Sequence, residues 1–126
     1  MLSSELGYPA GGAETAARLE AFLSRPDRVV FVADAGDAVV GWIAVVDRPL
    51  LQEEAGAEIE GLVVAAGRRG QGVGAALVGR AEAWAAERGL RIVRVRSRST
   101  RSGAHAFYRS LGYEDVKTSL VFHREL

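Results

Sequence analysis

The stretch "RRGQGVGAAL", residues 68–77, sets three glycines at alternate positions between two arginines and an alanine-rich apolar run. Glycine loses more backbone freedom on folding than any other residue. Such a cluster therefore points to a geometry, or a close approach, that other residues refuse. Ahead of it, "EIEGLVV" (58–64) reads as a strand with Glu58, Glu60, Leu62 and Val64 on one face. Behind it, Val73, Leu77, Ala81, Trp84 and Arg88 fall on one helical stripe. Gly89 suits a left-handed cap, with Leu90 folding back as its apolar contact. Strand, glycine turn and helix start together form an anion site, because the first helical amides lack partners and the helix dipole adds about half a positive charge. Glycine lets that backbone approach phosphate oxygens. A tight turn without any ligand is the competing reading of the same residues.

Working outward, "RVVFVA" (28–33) and "AVVGWIAVV" (38–46) flank "DAGD" and read as a hairpin. "RIVRVRS" (91–97) is a fourth strand. Ala104, Phe107, Tyr108 and Leu111 mark a second helix, begun near Thr100 or Ser102 and ended by Gly112. "EDVKTSLVFHREL" (114–126) is expected to supply one or two final strands. Residues 1–6 read as the end of a helix, and "AETAARLEAFL" (13–23) as another, closed by "SRPD". No repeat, low-complexity tract or linker divides the 126 residues, which predicts a single α/β domain over 1–126.

Composition excludes several function classes. Sixteen basic and sixteen acidic residues give zero net charge, so no global field holds nucleic acid or an anionic membrane. Without cysteine there is neither a disulfide, nor a thiolate nucleophile, nor a zinc–thiolate site. His105 and His123 lack metal-ligand spacing and read as surface or packing residues, so no metal is expected. No apolar run nears the roughly 18 residues of a membrane span, and no leader opens the chain; the expectation is cytoplasmic. Trp42 and Trp84 read as core.

Three phosphate loops can be compared with the glycine stretch. The Gly-Lys-Ser/Thr ending of a Walker-type loop is absent. Gly70, Gly72 and Ala75 match a dinucleotide fingerprint weakly: three strands come first, and the strand downstream offers arginines where an acidic residue belongs. Arg69-x-x-Gly72-x-Gly74, in contrast, resembles the acyl-CoA pyrophosphate loop of the GNAT superfamily of N-acetyltransferases. "EIEGLVV" resembles that family's fourth strand and "AHAFYRSLGY" its late helix-turn motif, in family order from about Arg28 to the C-terminus. The resemblance implies an α+β fold: a mixed, mostly antiparallel sheet flanked by helices and splayed at an acetyl-CoA cleft. It also implies cofactor contacts, largely through backbone amides, at Leu62, Val63, Val64, Arg69, Gly70, Gln71, Gly72, Val73, Gly74 and Ala75. Two positions depart from the family pattern. Arg101 stands where an asparagine often contacts the CoA arm, and the chain starts after the family's usual first strand. The edge of "RVVFVA" is then expected to be covered by a homodimer partner or by the N-terminal segment.

Acetyl transfer from a thioester requires an amine that has lost its proton, donors for the oxyanion and a proton for the departing thiolate. Glu58 and Glu60 are the candidate bases, Glu58 standing where several family members carry a catalytic glutamate. Tyr108 matches the family's proton donor, though it also lies on the core stripe of its helix. Arg94, Arg96 and Arg98 alternate onto one strand face, suited to the CoA 3′-phosphate, to an acidic substrate, or to pairing with the glutamates. The function expected is an N-acetyltransferase acting on a small-molecule amine by direct attack. The alternative is an acyl-CoA-binding regulatory module without transfer activity.

Overall fold

The computed structural model describes residues 20–36, 38–51, 54–96 and 102–126. The helical readings at 1–6 and over most of 13–23, together with Arg98 and Arg101, lie outside these residues. The end of the second of those helices is described, a helical turn at 20–23. The chain divides into two compact units, Met1–Arg96 and Ser97–Leu126.

The first unit is built on a four-stranded sheet in the order β1-β2-β3-β4. The expected hairpin forms from β1 (Arg28–Asp34) and β2 (Val39–Arg48), which pair antiparallel. Its turn is tightened by Asp34 Oδ1 accepting a 2.8 Å hydrogen bond from the Gly36 amide. Strand β3 (Gly56–Val64) runs antiparallel to β2, and β4 (Val93–Val95) runs parallel to β3. The sheet is thus mixed and mostly antiparallel, as the family resemblance implies.

Helix α1 (Val73–Glu87) packs over one face of this sheet. It buries Leu77, Val78, Ala81 and Ala85, while Ile43, Val45, Ala57 and Ile59 are buried on the sheet. Close packing requires glycine at position 41, where a Cβ would stand 3.1 Å from both Leu77 Cδ1 and Val73 Cγ1 and 3.0 Å from the Val63 carbonyl. The helix ends as its sequence predicts. Gly89 is left-handed at φ +79°, its amide donates to the Ala86 carbonyl, and the Leu90 amide donates to that of Ala85. Arg88 lies over the Trp84 ring at 4.8 Å and pairs with Asp47 at 3.0 Å, tying the helix end to β2. Trp42 and Trp84 are half-buried rather than core.

A β-bulge corrects the expected facing of β3. Ala44 pairs with Gly61 and the adjacent Val45 with Ile59, so Glu60 is an extra residue without a partner on β2. Side chains alternate on each strand, and the extra residue reverses the alternation beyond it. Glu58 faces the same way as its partner Val46, but Leu62 and Val64 pair with Ile43 and Gly41 and turn to the α1 side. Among the described residues the fourth strand is confined to Val93–Val95, without 91, 92 and 96 of "RIVRVRS". Among the same residues its ladder with β3 ends at Ile59·Val95, immediately before the bulge, while β3 runs on to Val64.

In the second unit, α2 (Ser102–Ser110) ends at Gly112, with φ +93° and the Tyr113 amide bonded to the Tyr108 carbonyl. Arg109 holds Asp115 through two bonds of 2.9 and 2.7 Å. That hydrogen-bonded pairing keeps the exposed Asp115 carboxyl below its ordinary range. The strands expected in 114–126 do not form. Leu120, Val121 and Phe122 have β propensity, but a strand exists only where a neighbour completes its ladder, and these side chains are 79 to 90% exposed.

Candidate active site

The turn after β3 is shaped by its glycines. A short 3-10 turn, Ala66–Arg68, begins with the Arg68 amide on the Ala65 carbonyl, and Arg69 is extended. Gly70 and Gly72 then adopt φ +77° and +83°, a left-handed region that a Cβ strongly disfavours. The space where a Cβ would stand is open at both, with nothing within 4 Å, so the requirement is conformational rather than steric. Gly72 is the N-cap of α1, and no side chain caps it. Its carbonyl receives the first helical bond, from Ala76 at 3.0 Å, which leaves the amides of Val73, Gly74 and Ala75 ahead of the intrahelical ladder. No acidic residue occupies the first turn to neutralise the positive end of the dipole. Gly74 is helical, so its value lies in its small size. Gln71 closes the loop with a 3.4 Å bond to the Gly67 carbonyl. This cradle of amides and open space suits the phosphates of an acyl-CoA. Arg69 and Gln71 are exposed on its rim.

At the end of the described β3–β4 ladder lies a charged cluster on the sheet face opposite α1. Glu58 is buried at 7% exposure, the one buried charged residue among those described. Its Oε1 lies 3.2 Å from Arg96 Nε and 3.5 Å from Arg48 Nε. Arg48 Nη2 reaches on to Glu60 Oε1 at 2.7 Å. Glu58 and Glu60 therefore face one guanidinium from the same side of the sheet, as read from the sequence. The bond to Glu60, with the charge of Glu58, raises the Arg48 pKa and fixes that residue as a cation. Arg48 Nε is itself buried and makes no hydrogen bond. Arg94 lies next to Glu58 in the ladder and donates to the Glu54 carbonyl at 2.5 Å.

Tyr108 lies in the second unit on the half-buried face of α2, with Ala104, Phe107 and Leu111. Its ring meets Phe107 edge-on at 5.1 Å and Tyr113 at 5.7 Å.

Two groups were less legible in the sequence than the loop. Of the expected arginine face, Arg94 and Arg96 are described, and Arg96 is engaged by Glu58, the pairing that competed with a phosphate role. Arg48 becomes visible only through the sheet. Its signal was an arginine continuing the Ala44–Val46 face of β2, and only the register opposite β3 brings it to both glutamates. Among the described residues no group of His, Asp and Glu is arranged to hold a metal ion.

The profile of the Acetyltransferase (GNAT) family matches residues 2–113. No curated protein matches the chain. Among solved structures, aminoglycoside 6′-N-acetyltransferase AAC(6′)-IG from Acinetobacter haemolyticus is 18% identical, with 99% of this chain and 92% of its own covered at a TM-score of 0.82. AAC(6′)-Iy, in complex with the bisubstrate analogue CoA-S-monomethyl-acetylneamine, is 16% identical over 98% of this chain and 86% of its own, at 0.84. A transcriptional regulator from Bacillus halodurans is 28% identical over 89% of this chain and 76% of its own, at 0.79.

Proposed function

This chain belongs to the acetyltransferase (GNAT) family, and from that premise we propose that it transfers the acetyl group of acetyl-CoA to the amine of a small molecule. The observation carrying this reading is the left-handed Gly70–Gly72 turn, which follows the end of β3 and presents the uncapped start of α1. In this reading the amides of Val73, Gly74 and Ala75 hold the pyrophosphate, with Arg69, Gly70, Gln71 and Gly72 forming the turn around it. The backbone of Leu62, Val63 and Val64, beyond the last β3–β4 pair, takes the pantetheine arm and the acetyl carbonyl. The bulge supports this assignment, because it falls just past the described β3–β4 pairs and re-aims the side chains of the strand beyond it.

The chemistry is direct. A strand carboxylate, Glu58 or Glu60, takes a proton from the ammonium. The free nitrogen attacks the thioester carbon, the C–N bond forms and the C–S bond breaks. The sulfur leaves as a thiolate, which Tyr108 protonates. With no cysteine in the chain, no acyl-cysteine intermediate is involved. The small-molecule acceptor is supported by the fold shared with enzymes named for aminoglycosides.

A second reading, an acyl-CoA-binding regulatory module without turnover, is favoured by the likeness to a protein described as a transcriptional regulator. One assay separates the two: thiol release from acetyl-CoA with neamine, spermidine, lysine methyl ester, an N-terminal peptide and a lysine peptide. Turnover of at least one of the first three is expected. Binding of acetyl-CoA without turnover of any amine would establish the regulatory reading, and turnover of the peptides alone would refute the small acceptor.

A further inference from the structure

Two glutamates lie on one side of β3, but their surroundings suit them to different work. The side chain of Glu58 is 9% exposed, and its Oε1 is shared by two guanidiniums, Arg48 at 3.5 Å and Arg96 at 3.2 Å. Both lone-pair faces of that buried oxygen are thus committed to cations whose own side chains are 42 and 51% exposed, so Glu58 serves them as a fixed counter-charge. Glu60 has the opposite setting. The bulge releases it from the ladder, its side chain is 36% exposed, and Arg48 occupies only Oε1, at 2.7 Å. Among the described residues no group bonds Oε2, which is therefore open to a proton from outside. Arg48 lies between the two carboxylates, drawn to Glu58 by charge and hydrogen-bonded to Glu60.

We propose that Glu60 is the residue that accepts the amine proton, that Arg48 is the positioning residue holding it at the bulge, and that Glu58 is the internal counter-charge that fixes Arg48 and Arg96. The assignment rests on the acetyl-transfer reading above. In the step it describes, the ammonium N–H bond breaks and its proton joins Glu60 Oε2. The freed nitrogen pair then forms the C–N bond as the C–S pair departs on sulfur. Glu60 returns its proton to solvent after the amide leaves. Arg48 stays charged throughout and keeps the Glu60 side chain in one rotamer, so that Oε2 rather than Oε1 meets the amine. The two other charged groups around the pair have separate ties, Arg96 to Glu58 and Arg94 to the Glu54 carbonyl.

The test compares Glu60→Gln, Glu58→Gln, Arg48→Met and Arg48→Lys in the full chain. The amine is whichever of neamine, spermidine and lysine methyl ester the wild type turns over, with acetyl-CoA affinity measured separately by calorimetry. Glu60→Gln is expected to lower kcat by about 100-fold or more, the scale of a general base, with acetyl-CoA affinity and the KM for acetyl-CoA unchanged. Arg48→Met should lower kcat in the same way, and Arg48→Lys should recover part of the loss by restoring a charged donor. A purely structural Arg48 would show no such rescue. Glu58→Gln should lower the melting temperature most and kcat less than Glu60→Gln does. Wild-type kcat in Glu60→Gln, or a larger loss of kcat in a folded Glu58→Gln, overturns the assignment while leaving acetyl transfer intact. A wild type inert toward all three amines removes the small-amine reading and this assignment with it.

Discussion

At the scale of single residues, side chains that work through their own position in the sequence were the legible ones. Gly72, Gly89 and Gly112 announce themselves because a left-handed residue after a strand or a helix has few other candidates. Glu58 and Glu60 were visible as carboxylates two apart on a strand, but their difference was not. It arises from Arg48 and Arg96, which lie 10 and 38 residues from Glu58 in the chain and meet it only through the sheet register. Tyr108 is read as the thiolate's proton donor on the strength of its motif. Its rings at 5.1 and 5.7 Å would suit a packing tyrosine equally, so the hydroxyl decides. Tyr108→Phe keeps the ring and removes the proton. We expect kcat to fall by about 10- to 1000-fold with acetyl-CoA affinity unchanged, as steady-state kinetics and calorimetry would report. An unchanged kcat would leave the tyrosine a packing residue.

At the scale of elements, periodicity located α1 and its cap well, because a helix buries one stripe and its end is chemically marked. Strands were located less well at their limits. Among the described residues the fourth strand is Val93–Val95, leaving out 91, 92 and 96 of the expected 91–97, and the tail 114–126 forms none. A strand's length depends on its neighbours, and neither β propensity nor alternation states who the neighbour is. The bulge at Glu60 was likewise hidden, since one inserted residue leaves no mark in a strand whose two faces are both partly buried. The sheet–helix layer nevertheless depends on a few well-filled positions. Ile43 is fully buried at the centre of β2 on the α1 side. Ile43→Ala should cost about 2–5 kcal/mol in a denaturant titration, the range for emptying a buried aliphatic site. A loss well under 1 kcal/mol would mean that α1 is not seated on this face as described.

At the scale of the whole molecule, the class of fold was legible and so was the reaction class, because both follow from the order strand, glycine turn, helix, strand, helix. The acceptor was not, since nothing in a neutral chain of ordinary composition singles out one amine. Neutrality has a physical corollary. In the proposed reading, capture of a CoA carrying several negative charges does not rely on a global field but on amides aimed at the phosphates and on nearby arginines such as Arg69. The account therefore concentrates affinity in the turn between β3 and α1. A Cβ at Gly72 would meet no atom within 4 Å, yet at φ +83° a β-branched side chain is strained out of the conformation that presents the amides. Titrating acetyl-CoA into the wild type and Gly72→Val by calorimetry, with circular dichroism to confirm that the fold is kept, tests this most directly. The account predicts a saturable 1:1 isotherm for the wild type and loss of binding in the folded variant. Equal affinity in the two, or no binding by the wild type, would contradict it.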